Sequence, residues 1–248
     1  MFGRWHRARG QNVLNVKALN TAFMLKNHFF TDLVEAGCDE AGRGCLAGSV
    51  YAAAVILPYD YDNPALNDSK QLSAKCREAL RTQIMRDAVA RAVGVATPEE
   101  VDRLNILHAS FLAMHRAIDQ LTMRPQALII DGNRFDPYKP VSESPFGGRI
   151  ERVAAHADDR DTLPFECVVK GDGKYQSIAA ASILAKTFRD DYMMGLHAQY
   201  PAYHWDSNKG YPTRDHRAAI ATHGISPYHR RSFHLRQATQ LKIDFDGK

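Results

Sequence analysis

Cys38-Asp39-Glu40-Ala41-Gly42-Arg43-Gly44 is the stretch on which the reading of this chain turns. The apolar residues Leu33–Cys38 that lead into it read as a first β-strand. Gly48–Leu57 (GSVYAAAVIL), stopped by Pro58, reads as a second. A connection this short joins neighbouring strands as a hairpin, so the sheet opens with an antiparallel pair. Two carboxylates therefore sit where a strand meets a glycine turn. Those glycines leave backbone N–H groups free to approach an anion closely.

Outward from that hairpin, strands and helices interleave. Ser73 is a cap for a helix running to about Arg91, with Leu80, Ile84 and Ala88 at helical spacing. Ala92–Ala96 is a short strand. Thr97-Pro98-Glu99-Glu100 is a helix start with cap, N1 proline and an acid three residues past the cap. The helix it opens carries Leu104, Leu107, Phe111, Met114 and Ile118 on one face. Ala127–Ile130 is a buried strand whose tip presents Asp131, and Phe165–Val169 is another, running into Lys170-Gly171-Asp172. Gln176–Leu196 is a long helix with the alanine-rich core Ile178–Ala185, and a further helix is expected near Arg214–His223. Interleaved elements around a hairpin predict an α/β protein with a mixed sheet flanked by helices. The polar stretch 134–162 is expected to be a long irregular excursion.

Composition narrows the function classes. The 248 residues are 45% hydrophobic and 24% charged, as in ordinary globular domains. No apolar run approaches the roughly 18 residues of a membrane-spanning helix. The four cysteines (Cys38, Cys45, Cys76, Cys167) form no C-x-x-C pair, which argues against zinc and against a disulfide framework. The net charge of +4 is local. Arg4, Arg7, Arg9, Lys17 and Lys26 lie in an acid-free stretch of residues 1–31, and the rest of the chain holds slightly more acid than base. Attraction to a polyanion must then come from patches. Residues 1–31 read as a basic leader outside the fold.

Acids stand at structurally favoured points: Asp39 and Glu40 after the first strand, Asp131 at a buried strand tip, and Asp190 on the alanine-rich helix. Ligands of α/β sheets gather at strand ends, so these groups can converge. Four carboxylates without cysteine or histidine select a hard cation, Mg²⁺ or Mn²⁺. Such sites hold two ions about 3.5–4 Å apart and serve phosphodiester hydrolysis. Spacing alone leaves open whether Asp190 or Asp191 faces the others.

Eight blocks in order resemble the ribonuclease HII family of type 2 ribonucleases H. They are Asp39–Gly44, Asp68–Ser73, Ile130–Asn133, Lys170–Asp172, Ala179–Lys186, Arg189-Asp190, Lys209–Thr213 and Tyr228–Phe233, together spanning about four-fifths of the chain. The resemblance implies a ribonuclease H-like catalytic domain over residues 32–200 and a helical, substrate-gripping C-terminal extension over 201–248. It implies endonucleolytic cleavage of RNA in RNA–DNA hybrids and on the 5′ side of single ribonucleotides in duplex DNA, leaving 5′-phosphate and 3′-hydroxyl ends. By that resemblance Asp39, Glu40, Asp131 and Asp190 hold the metal ions. Gly42, Arg43 and Gly44 read the 2′-hydroxyl, and Tyr211 stacks on the following deoxyribose. Lys186 and Lys209 are candidates for phosphate contacts. The partners implied are hybrid and ribonucleotide-containing duplexes, with a replication clamp as a candidate protein partner, for a cytoplasmic monomer. The alternatives are a type 3 ribonuclease H, another nuclease of the same fold, or a hybrid-binding protein without catalysis.

Overall fold

A computed structural model describes residues 24–138 and 162–233. The hairpin forms as expected: β1 (Glu35–Ala41) runs antiparallel to β2 (Val50–Ile56), with Gly37 opposite Val55 and Ala41 opposite Tyr51. Helix α1 (Ala74–Asp87) starts at the Ser73 cap and ends four residues short of the expected Arg91, because the chain there turns into β3 (Ala90–Ala96). β3 extends the sheet antiparallel to β2. β4 (Ala127–Asp131) and β5 (Phe165–Val168) add in parallel on the other side of β1, giving the order β3-β2-β1-β4-β5.

The single helix expected after Thr97 is two. The capping box forms, with Glu100 N–H donating to the Thr97 hydroxyl and Thr97 N–H to the Glu100 carboxylate. A Ser/Thr cap of this kind stabilises a helix by ~1 kcal/mol. However, α2 (Pro98–Leu104) stops at Asn105, whose φ of 67° is outside the helical region. The Asn105 side chain then accepts from Leu107 and His108 N–H and starts α3 (Ile106–Asp119) afresh. Asparagine tolerates this backbone because its short polar side chain bonds locally.

Strand alternation divides the core into two layers. Ala36, Cys38, Ala52, Ala54, Leu128 and Ile130 face α3, where they meet Phe111, Met114 and Ile118. Ala53 and Val55 face the other way, against Leu80 and Ile84 of α1 and the Ala179–Ala185 stretch of α4 (Gln176–Gln199). Small residues let α4 lie directly on β1. A Cβ on Gly37 would come within 2.3 Å of the Ser177 backbone, so glycine is needed for that approach.

The C-terminal part contributes the short helix α5 (Trp205–Asn208) and α6 (Arg214–His223), packed around Trp205, Tyr203, Met193 and Ala47 as a smaller second core. Residues 24–31 belong to the fold, which moves the start of the domain ahead of the expected residue 32. Lys26 bridges Tyr175, and the N–H groups of Phe29 and Phe30 donate to the buried Glu35 carboxylate. Residues 1–23 and most of the excursion, 139–161, lie outside the described residues.

Candidate active site

Parallel pairing of β1 with β4 ends at Cys38 and Ile130, so Asp39 and Asp131 are the next residues of two adjacent strands. Both share the parity of Gly37 and Ile129 and therefore point towards α4. Asp39 is buried, and its Oδ1 accepts from the Glu40 N–H at 2.6 Å. Asp131 Oδ1 accepts from the Gly171 N–H at 2.6 Å. β1 continues straight through Ala41, so alternation sends Glu40 to the opposite face. It stays at the site because β4 ends beside it, and its carboxylate binds Arg43 at 3.1 Å.

The three acids feel one another. Burial, then the charges of Glu40 and Asp131, push Asp39 well above the usual carboxylate range, against a hydrogen bond from Ser182. Burial also raises Glu40, opposed by Arg43 and reinforced by Asp131.

A fourth acid joins them, and it is Asp172. The chain leaves β5 at Lys170, at φ 57°, and winds through a 3₁₀ turn at Gly171–Gly173. That turn gives Asp131 its Gly171 N–H and buries Asp172. Burial and the charge of Asp131 raise Asp172, while Lys70, 3.6 Å away, opposes them. Asp172 Oδ2 is buried and has no hydrogen-bond donor; the Lys70 ammonium at 3.6 Å is its ion-pair partner. The sequence signal was present: Lys170-Gly171-Asp172 follows a strand tip just as Asp131 does.

Asp190 stands differently. Ser182, Lys186 and Asp190 are four residues apart and share one stripe of α4. Ser182 Oγ meets Ser69 Oγ at 2.9 Å and steadies Asp39, whereas Asp190 is ion-paired with Lys186 at 2.5 Å. Its charge is felt by Tyr211. Asp191 points to the other side, onto Arg81 of α1 at 2.6 Å.

Beside the acids lies the glycine turn, held by two arginines that are almost wholly buried. Arg189 donates to the carbonyls of Ser49 (3.0 Å), Ala47 (3.1 Å) and Lys209 (2.9 Å). Arg230 donates twice to Gly48 O (3.0 and 2.7 Å) and once to Arg43 O (2.9 Å). Gly42 has φ 97°, and a Cβ there would strike the Arg189 side chain at 2.1 Å, so only glycine fits. Leu46 N–H donates to Gly210 O at 2.8 Å, which ties this turn to the one carrying Tyr211, whose ring is partly exposed. The two candidate phosphate lysines have partners of their own. Lys186 holds Asp190, and the Lys209 ammonium folds back onto the Asp206 carbonyl.

The donor set fits a hard cation. The donors at this edge of the sheet are carboxylate oxygens, without soft atoms. Like charges crowd in a desolvated spot, and one buried carboxylate oxygen has no hydrogen-bond donor. Among the described residues, no three of His, Cys, Asp and Glu are already drawn into a metal cage. Glu40 and Asp190 are held instead by Arg43 and Lys186, and Asp131 by a backbone N–H.

A mixed sheet in this strand order, with acids at the carboxyl ends of β1 and β4, is the arrangement of a ribonuclease H-like fold. Comparison with known proteins agrees and goes further. The ribonuclease HII family model matches residues 36–236. The chain is 60% identical over 222 residues to ribonuclease HII of Bacteroides thetaiotaomicron, covering 90% of this chain and all of that one. It is 52% identical to ribonuclease HII of Porphyromonas gingivalis over 85% of this chain and 94% of that one. Among solved structures, ribonuclease H2 from Pyrococcus horikoshii OT3 superposes with a TM-score of 0.62 at 24% identity, covering 81% of this chain and 94% of that one. The enzyme in the PCNA:RNase HII complex from Archaeoglobus fulgidus gives 0.61 at 25%, covering 84% and 98%. The chain belongs to the ribonuclease HII family, whose members are endoribonucleases acting on RNA–DNA hybrids.

Proposed function

We propose that this enzyme, besides cutting the RNA strand of hybrids, cleaves on the 5′ side of a single ribonucleotide in duplex DNA and leaves 5′-phosphate and 3′-hydroxyl ends. The observation that carries this reading is the fusion of acids and reader: Asp39 and Glu40 run within two residues into the turn Gly42-Arg43-Gly44, and that turn is bonded to the Tyr211 turn through Leu46 and Gly210. The 2′-hydroxyl, both donor and acceptor, distinguishes RNA from DNA. Gly42, Arg43 and Gly44 offer it unobstructed backbone groups. Tyr211 offers a flat face to the next sugar, which a 2′-oxygen would crowd. Binding the ribose there fixes which phosphodiester lies over the acids.

Asp39, Glu40, Asp131 and Asp172 are the carboxylates that would hold Mg²⁺ or Mn²⁺. Asp172 takes the fourth place in this proposal rather than Asp190, the acid expected from the sequence, because Asp190 is ion-paired with Lys186. When bound, such cations lower the pKa of an attacking water and stabilise the leaving oxygen. The protein's own part is to place the four carboxylates at one edge of the sheet. Lys70 and Arg43 offset some of their mutual repulsion. A sliding clamp, the partner of the Archaeoglobus fulgidus enzyme, is the proposed protein partner. Co-elution of the two purified proteins tests it.

The test of the main reading is a duplex DNA carrying one ribonucleotide, incubated with Mg²⁺ or Mn²⁺. A single cut on the 5′ side of the ribose is expected. No cleavage, or equal cleavage of the all-DNA duplex, overturns it. Cleavage of long hybrids alone points to a type 3 specificity.

A further inference from the structure

The turn that carries Tyr211 is gripped at three consecutive carbonyls from three directions. Lys209 O accepts from Arg189 on α4 (2.9 Å), and Gly210 O from Leu46 in the glycine turn (2.8 Å). Tyr211 O accepts from Thr213 N–H (2.8 Å) and meets His216 Nδ1 of α6 at 2.9 Å. Behind His216 lies a chain of buried polar contacts. Trp205 Nε1 lies 3.0 Å from His216 Nε2, and His229 Nε2 lies 3.1 Å from the same atom. His229 Nδ1 meets the Ser226 N–H and hydroxyl, both at 2.9 Å.

Hydrogen-bond roles fix the imidazole protons in this chain, with His216 Nε2 shared by two donors. The Trp205 indole N–H only donates, so His216 Nε2 accepts, and His216 Nδ1–H donates to Tyr211 O. His229 must then donate from Nε2 to His216. Its Nδ1 accepts from Ser226 N–H, and Ser226 Oγ in turn accepts from Tyr228 N–H at 3.2 Å. The two imidazoles are thus neutral and in opposite tautomers, and neither can take a proton without losing a bond.

We infer that His216 and His229 are positioning residues that hold Tyr211 at the ribonucleotide junction, so that the preference for a single embedded ribonucleotide depends on a neutral histidine pair buried behind the Tyr211 turn. This rests on the reading of Tyr211 as the group that stacks on the following sugar. Burial agrees with the tautomers: it lowers His216, and together with His216 it lowers His229 to about 4. The charge that bears on His216 from α6 is Arg217, the rings of Tyr203 and Trp205 pack against both histidines, and Glu99, Asp102, Arg103 and Arg231 line the cavity that His229 borders. Because His229 adjoins Arg230, which holds the glycine turn, the same strut braces both halves of the reader.

The experiment compares kcat/KM on a duplex with one ribonucleotide and on an all-RNA/DNA hybrid, for the full chain and for Tyr211→Ala, His216→Phe and His216→Asn. Asparagine keeps a donor near the Nδ1 position, whereas phenylalanine does not. Stacking on an aromatic ring is worth about ten-fold or more in affinity. His216→Phe is therefore expected to lower the single-ribonucleotide rate about ten-fold more than the hybrid rate, with His216→Asn recovering most of the difference. An unchanged ratio in His216→Phe, while Tyr211→Ala shifts it, overturns the inference and leaves the reading of Tyr211 standing. An unchanged ratio in Tyr211→Ala overturns that reading first. Should His216→Phe fail to fold, long-range ¹H–¹⁵N spectra of the unaltered protein at pH 7 decide. Neutral rings protonated at Nδ1 of His216 and Nε2 of His229 support the inference, and a charged ring or the reverse tautomers overturn it.

Discussion

The acid cluster and the reader beside it are built on opposite principles. Around Asp131, the buried carboxylates of Asp39 and Asp172 hold their protons more tightly than usual, and one oxygen of Asp172 has no hydrogen-bond donor. Around Gly42–Ser49 and Lys209–Tyr211, the buried cations Arg189 and Arg230 have every nitrogen on a backbone carbonyl. The first region carries uncompensated negative charge, which a cation would offset. The second is saturated and gains nothing by moving. An enzyme that must recognise one sugar and cut one bond needs both: a rigid frame to set position, and a site whose electrostatics favour the ions and phosphate it receives.

That contrast breaks most visibly when an acid is removed. Asp131→Asn should lower turnover on every substrate by about three orders of magnitude, the size expected when a transition-state electrostatic group is lost. It should leave the melting temperature unchanged or higher without added metal, because a repulsion has gone. Saturating Mn²⁺ should raise the melting temperature of the unaltered protein more than that of the variant, by linkage of about 2.7 kcal/mol at a hundred times Kd. Thermal melts with and without metal check both statements.

Arg230→Ala attacks the saturated side. It strands Gly48 O and Arg43 O in the interior, and each buried unsatisfied group costs about 1–3 kcal/mol. A fall in melting temperature of roughly 5–15 °C follows for a chain of this length. The variant's residual activity should be poorer at discriminating one ribonucleotide from none.

Acid separates the two regions by sign. His229 titrates at about 4 when folded, below its ordinary value near 6.5, so its contribution is complete above about 6.5 and is lost as pH falls towards 4. Asp39, Glu40 and Asp172 are raised in the fold, so they destabilise it once ionised, and lowering the pH relieves them. Replacing His229 by Gln should flatten the loss of stability between pH 6.5 and 4. Replacing Asp39 by Asn should remove the opposing gain. Denaturant midpoints across that range measure both.

The smallest effect concerns phosphate contacts. Lys186 and Lys209 are both partnered by the protein, so replacing either with Gln should lower the salt dependence of hybrid binding by no more than about one in the log–log slope.

Much of this was legible from the chain. The hairpin, the Thr97 capping box, the strand tip at Asp131 and the helix Arg214–His223 follow from local pattern, because the forces that form them act within a few residues. The break at Asn105 was hidden by an unbroken apolar stripe, since the side-chain cap that causes it competes with the helix without disturbing that stripe. The position of Asp172 was not legible, because it depends on a 3₁₀ turn that buries it near Asp131, forty-one residues earlier in the sequence. Buried Arg189 and Arg230 read as surface charge in a sequence. Their partners, Ser49 and Gly48, lie 140 and 182 residues away.

The acid set itself is open to one direct comparison. Asp172→Asn and Asp190→Asn are assayed on duplex DNA containing one ribonucleotide, at saturating Mg²⁺ or Mn²⁺. If the buried carboxylate that follows β5 completes the site, Asp172→Asn loses about a hundred-fold or more and Asp190→Asn stays within about ten-fold, losses typical of an electrostatic group in the site and of a neighbour outside it. The reverse order would contradict it and return the fourth carboxylate to α4.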